Sequence, residues 1–217
     1  MKKLYSILTS LILLTFTSAK AEIGIGVTGA LHMLDVSGSE TTRQSSEVNR
    51  GSHEEDVGVA EVFVEAIAEN GWTVGFAYIP TRDMGSKSRS DSNSDGDTGT
   101  YKAQAELDNV IQIYADIPFG EVSGYNMYGK VGIQHATIVT LESLNSGSTY
   151  PDKDVYGFTV GLGTKGDLPY GDNMYYKAEV TYTDFEDYKQ DSNSSPANRV
   201  EAELEDIAAK LSIGYKF

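Results

Sequence analysis

The last eleven residues of the chain, Ile207 to Phe217, alternate without a break. Ile207, Ala209, Leu211, Ile213, Tyr215 and Phe217 fall on one side, and Ala208, Lys210, Ser212, Gly214 and Lys216 on the other. A period of two is the signature of a β-strand with one apolar face. In a water-soluble sheet that face packs on a core. Two features point to a different solvent: the segment matches the ~9–11 residues a tilted strand needs to cross a bilayer, and the chain stops on an aromatic. A strand of this kind turns its apolar face to lipid and its small and polar face inward.

The other end of the chain supports export. Lys2 and Lys3 precede an apolar run from Leu4 to Phe16, which ends in Ser18-Ala19-Lys20-Ala21. This is the pattern of a signal peptide over residues 1–21 with an A-x-A cleavage site. The run falls short of the ~20 residues of a spanning helix, and no later segment approaches that length. If the remaining chain, 22–217, crosses a membrane, it does so as a closed barrel, because every backbone polar group at membrane depth needs an internal partner. The sequence has no cysteine, which rules out a small disulfide scaffold. Its formal charge is −15, and loss of Lys2, Lys3 and Lys20 leaves the rest more acidic still. Such a surface repels nucleic acid and favours cationic partners.

Alternation recurs along the whole chain. Ile23, Ile25, Val27, Gly29, Leu31 and Met33 oppose Gly24, Gly26, Thr28, Ala30 and His32 in the first strand. Ala60, Val62, Val64 and Ala66 oppose Glu61, Phe63 and Glu65 in the second. Asn70-Gly71 supplies a tight turn, and Val74, Phe76 and Tyr78 form the outer face of the third strand, which Pro80 ends. A fourth strand over 102–115 changes register beyond Asn109, where a β-bulge would reconcile its halves. The fifth covers 125–139, the sixth 156–164, the seventh 174–183, and the terminal segment is the eighth. Upstream of Ile207, the residues Val200, Ala202 and Leu204 run in the opposite register, so a bulge is expected near Glu205-Asp206. The polar stretches 35–55, 83–100, 142–154 and 184–198 read as loops. Asp91–Ser94 with Ala105–Asp108 echoes Asp191–Ser194 with Ala202–Glu205, a weak hairpin repeat.

The connections alternate long and short, beginning with a long one. Outer-membrane barrels have this parity, with short turns on one rim and long external loops on the other. The expected fold is therefore all-β, an eight-stranded antiparallel up-and-down transmembrane β-barrel. The alternative, a soluble lipocalin-like barrel, requires the opposite polarity, with apolar side chains inside.

With these strands, the leader and the ending Ser212-Ile213-Gly214-Tyr215-Lys216-Phe217, the chain resembles the small outer-membrane β-barrel proteins typified by the membrane domain of OmpA and by OmpX. The resemblance covers nearly all of 22–217 and lies in pattern rather than in a diagnostic motif. It implies that Ile213, Tyr215 and Phe217 form the signal read by the barrel-assembly machinery. Unlike OmpA, no separate peptidoglycan-binding domain is expected after the last strand.

Alternation places Glu61, Glu65, Glu106, Lys130, Gln134, Lys177, Glu179 and Lys210 in one lumen. An eight-stranded barrel is only wide enough for side chains to fill it, so these groups are expected to form a paired network that plugs the interior. The same groups would line a narrow channel if the interior were open. Asp91, Asn93, Asp95 and Asp97, with Gly96, match the first half of a calcium loop. Lys102 stands where a bidentate Glu belongs, so at most a weak external Ca²⁺ site is expected. No Ser, His and carboxylate set has convincing spacing, and His135 is expected to face lipid. Trp72, Tyr78, Tyr125, Tyr156, Tyr176, Tyr215 and Phe217 read as interfacial girdles.

The expected function is a non-enzymatic, monomeric barrel in the bacterial outer membrane with a structural or surface-interaction role. It would need no cofactor, would have outer-membrane lipid and the assembly machinery as partners, and would bind no nucleic acid. A small porin and a barrel enzyme acting on lipid or peptide are the alternatives.

Overall fold

The computed structural model describes residues 21–42, 46–91, 99–141, 149–169, 171, 173–193, 195 and 197–217. Ten strands occur in these segments: β1 (Ala21–Thr41), β2 (Val48–Ala68), β3 (Thr73–Ile79), β4 (Arg82–Asp91), β5 (Gly99–Val122), β6 (Tyr125–Thr140), β7 (Lys153–Asp167), β8 (Met174–Phe185), β9 (Tyr188–Asp191) and β10 (Arg199–Lys216). Neighbours pair antiparallel, and β10 pairs with β1 from Gly24↔Lys216 to Thr41↔Arg199, which closes the sheet. β3 and β4 are one stave broken at Pro80-Thr81, and β8 and β9 are another broken at Glu186-Asp187, so the ring has eight staves. Of the leader expected over 1–21, only Ala21 is a described residue, and it begins β1. Asn93, Asp95, Asp97 and the side chain of Asp91 also lie outside the described set.

The polarity is inverted relative to a soluble barrel. Ile25, Val27, Leu31, Val62, Phe76, Val180, Leu211 and Ile213 are exposed on the outer face, while charged and hydroxyl side chains are buried inside. Trp72, Tyr78, Tyr125, Tyr156, Tyr215 and Phe217 are exposed at the margins of this belt, the position interfacial aromatics occupy. His135 lies on the outer face and stacks edge-on with Tyr156 at 5.1 Å. The short turns follow their sequence signals. Gly71 has φ of +84°, and Ser123-Gly124 have φ of +53° and +86°, the doubly positive pair that a two-residue hairpin requires.

Three sequence expectations need correction. The polar stretches are largely strand: Asp35–Thr41 continues β1, Val48–Glu55 begins β2, Asp83–Asp91 belongs to β4, Lys153-Asp154 begins β7, and Tyr188–Asp191 is β9. Outer-face residues there are exposed beyond the outward apolar belt, so their polarity does not oppose a ladder. The bulge near Asn109 is present, with φ of +52° at Asn109 and a register shift between Asp108 and Ile111. The bulge at Glu205-Asp206 is absent, because β10 stays in unbroken register with β1. Val200, Ala202 and Leu204 face inward because the upper interior is apolar, and Glu203 and Glu205 are exposed on the outer face. The third correction is Glu106. It pairs with Val139 on the opposite face from Leu107, which is fully buried against the interior cluster, so Glu106 points outward. The two halves of the weak repeat share this arrangement: Ala105 and Leu107, like Ala202 and Leu204, face in.

Candidate functional site

The interior is built in layers, and the layers follow from which strands contribute charge, amide or hydrocarbon at each level. At the short-turn end, Phe63, Tyr114, Tyr128 and Tyr175 surround Lys177. These rings fit because the facing positions are glycines: a Cβ on Gly163 would stand 2.5 Å from the Tyr128 ring, and one on Gly75 2.5 Å from that of Tyr114. Lys177 Nζ donates to Asp116 Oδ2 at 2.6 Å and to Glu65 Oε2 at 3.0 Å. Tyr114 and Tyr175 donate to the two oxygens of Glu65 at 2.5 and 2.8 Å. Lys130 Nζ lies 2.6 Å from Glu179, 3.4 Å from Asp116 and 3.7 Å above the Tyr114 ring.

The middle layer is neutral. Gln134 Nε2 donates to Thr159 and Thr183 at 3.2 and 3.1 Å, Gln112 Nε2 donates to Thr159 at 3.1 Å, and Thr28 meets Ser212 at 2.8 Å. Above it, Lys210 Nζ donates to both oxygens of Glu61 at 2.8 and 3.0 Å. His32 places Nε2 2.9 Å from Glu61 and Nδ1 2.9 Å from Asp206. Arg82 Nη1 donates to Asp206 Oδ2 at 2.6 Å and lies 2.7 Å from His32 Nδ1.

Of the residues placed in the lumen from sequence, Glu61, Glu65, Lys130, Gln134, Lys177, Glu179 and Lys210 are all buried there. The members that sequence reasoning missed are Asp116, Asp206, Arg82 and the carboxylate-bridging role of His32. Parity signals the first two, because Asp116 follows Tyr114 and Asp206 precedes Lys210 by even steps. Arg82 carries no such signal, since it follows the Pro80 break.

Among the described residues, the upper third of the interior is mainly hydrocarbon, with His53 and Glu55 in contact at 3.0 Å on β2 and Tyr150 donating to Glu40 at 2.9 Å. Leu34, Ile79, Leu107, Val110, Val155 and Leu204 form a buried cluster directly above Arg82 and His32. Over it opens a cavity of about 350 Å³, walled by Val36, Met84, Ala105, Ile138, Tyr150, Tyr188, Val200 and Ala202 and rimmed by Asn49, His53, Lys87 and Gln104. The Asn49 Nδ2 donor is buried there with no partner among the described residues.

One side of this cup has an incomplete wall. β2 pairs with β3 only from Val62↔Tyr78 to Ile67↔Thr73, and β4 pairs with β5. Val48–Glu61 and Arg82–Asp91 therefore face each other with no ladder between them. Side chains bridge the seam: Lys87 Nζ donates to the Ser52 carbonyl at 2.8 Å, and the His53 ring packs over Gly85, whose φ is +82°. The seam begins level with Tyr78 and Ile111, the last outward apolar residues on their strands.

No protein-family model matches the chain, and no curated protein matches it. Solved structures do. The outer membrane protein OprG from Pseudomonas aeruginosa aligns over 92% of this chain and 98% of its own, with a TM-score of 0.59 and 18% identity. The outer membrane protein AlkL aligns over 94% and 93%, with a TM-score of 0.52 and 11% identity. The outer membrane protease OmpT from Escherichia coli aligns over 93% and 99%, with a TM-score of 0.56 and 8% identity. The chain has the fold of these outer-membrane β-barrels. At these identities the likeness is one of fold, so the barrel's role has to be read from its own interior. That interior carries buried ion pairs below and is lined mainly by hydrocarbon above.

Proposed function

We propose that this barrel is a non-conducting, non-enzymatic surface protein whose upper cup holds a small, largely apolar molecule bearing one hydrogen-bond-accepting group. The observation that carries the reading is the apolar cup standing on a sealed ionic floor. Ligand pockets of about 300–1,000 Å³ are mostly hydrocarbon with a few placed polar groups, and the unpartnered Asn49 donor suits an acceptor oxygen. Below the cup, the Lys177–Asp116–Glu65 and Lys130–Glu179 pairs leave a permeating ion no path without breaking a buried ion pair. In this reading the barrel is monomeric in outer-membrane lipid, binds no nucleic acid and needs no cofactor. Ile213, Tyr215 and Phe217, all exposed on the outer face, would deliver it to the assembly machinery. Calcium at Asp91, Asn93, Asp95 and Asp97 would be weak and peripheral.

The test uses protein reconstituted in phospholipid vesicles and a diazirine-bearing decanol. Light-driven labelling should reach Met84, Tyr150 or Leu204. Ala202→Trp, which fills the cup, should suppress it while sparing label on lipid-facing Leu211. Labelling confined to outward residues would overturn the binding reading. In planar bilayers no open steps are expected, and reproducible steps altered by replacing Lys130 or Glu179 would overturn the sealed floor.

A further inference from the structure

We propose that the molecule held in the cup is an anionic amphiphile: a carboxylate on a hydrocarbon chain, with the chain against Met84 and Leu204 and the head group held by Lys87 and Asn49. The lipophile-binding reading above is the premise, and the charge on the head group is what is added to it. Lys87 of β4 reaches the rim of the cup from one edge of the seam, and Asn49 and Gly51 of β2 line it from the other. An ammonium has three N–H donors. That of Lys87 gives one to the Ser52 carbonyl at 2.8 Å and has no acidic partner among the described residues. Asn49 supplies a second donor, its buried Nδ2, which is unpartnered among the same residues.

The two donors are neighbours because Gly51 has no side chain. A Cβ there would stand 3.5 Å from Lys87 Nζ, so the ammonium rests over bare backbone. Asn49 is the next inward residue on β2, about 6.6 Å along the strand at two residues' rise. The gap between them is room for a head group, and an ionised carboxylate offers an oxygen to each side. The acids on the inner wall already have donors. Glu40, opposite Asn49 on β1, accepts from Tyr150 at 2.9 Å and from Asn198 at 3.4 Å. Glu55 lies 3.0 Å from His53 Nε2. Repulsion from Glu40 sets the charge of the ligand nearer to Lys87 than to Asn49. A neutral acceptor would use Asn49 alone, whereas a carboxylate uses both donors, and its charge-assisted bond is about twice as strong as a neutral one. Hydrocarbon below and a cation at the lip fit a chain carboxylate.

The test compares two probes on the protein in phospholipid vesicles, decanol and decanoate with a diazirine on the same carbon, at about pH 9, where the carboxylate is ionised and lysine is charged. Label on Met84 is divided by label on lipid-facing Leu211 of the same sample, which cancels the different partition of the probes into the bilayer. The decanoate ratio should exceed the decanol ratio by about fivefold at low salt, the scale of one exposed ion pair. That excess should shrink in about 0.5 M salt. In Lys87→Gln the two ratios should coincide, and Lys87→Glu should transfer the preference to a diazirine-bearing decylamine. Lys87 is exposed and lies outside the buried core, so heat-shifted gel migration should show both variants folded. Equal ratios in the native protein, or a decanoate excess surviving in Lys87→Gln, would overturn the carboxylate assignment. Decanol reaching Met84 with no decanoate excess overturns that assignment and leaves the lipophile-binding reading standing. Neither probe reaching Met84 overturns both.

Discussion

Replacing Lys177 with methionine keeps the length of the side chain and removes its charge. Lys177 is buried among Asp116 and Glu65, which are themselves 0% and 1% exposed. The variant leaves two carboxylates without their nearest cation. Glu65 keeps the Tyr114 and Tyr175 hydroxyls, whereas Asp116 keeps only Lys130 at 3.4 Å. Most of the loss should therefore fall on Asp116. Removing one partner of a buried pair costs about 3–5 kcal/mol because the other charge stays buried. Reversible urea unfolding of the protein in lipid vesicles, followed by the boiled-to-unboiled shift in gel migration, would measure it. The double variant Lys177→Met with Asp116→Asn removes the orphaned charge and should recover more than half the loss, which a double-mutant cycle isolates. A cost below about 1 kcal/mol for the single variant, or no recovery in the double, would refute the view that these pairs hold the lumen shut.

Two further outcomes follow from the outer face. Asp184, Glu205, Asp35 and Glu54 stand directly opposite one another on β8, β10, β1 and β2, and all four are exposed. Like charges in directly opposed cross-strand positions are destabilising. Glu205→Lys turns two such contacts into attractions and should raise stability by about 1 kcal/mol at low salt, a gain that must fade as salt rises. The second outcome concerns β9. Its hydrogen bond with Lys189 holds the Asp187 carboxyl below its ordinary value of 3.8. A depressed carboxyl contributes stability above its unfolded value and loses it as pH falls through the folded one. Amide exchange over Tyr188–Asp191 should therefore accelerate only below about pH 4 relative to β10, and protection unchanged in that window would remove the pair as an anchor of β9.

Alternation in the sequence determined the architecture and the face of nearly every spanning residue. Val27 and Leu211 had to be outside, and Glu65, Lys130 and Lys177 inside, because a strand that exchanges its faces by one residue reverses all of them. It determined the bulge at Asn109 as well, where two apolar registers meet. It did not determine partners. Lys177 meets Asp116, 61 residues away, and His32 meets Asp206, 174 residues away, because cross-lumen contacts depend on stagger and closure, which local pattern does not encode. The extent of the strands above the lipid was equally hidden. A solvated ladder and a loop have the same polar composition, and only pairing with a neighbour separates them. Leu204 and Glu106 show the consequence. Tertiary structure put hydrocarbon inside the upper barrel, so the apolar member of β10 turns in without a bulge and the acid of β5 turns out. The seam in the wall of the cup arises from that same arrangement, in which the break at Pro80-Thr81 leaves β4 paired with β5 but not with β2.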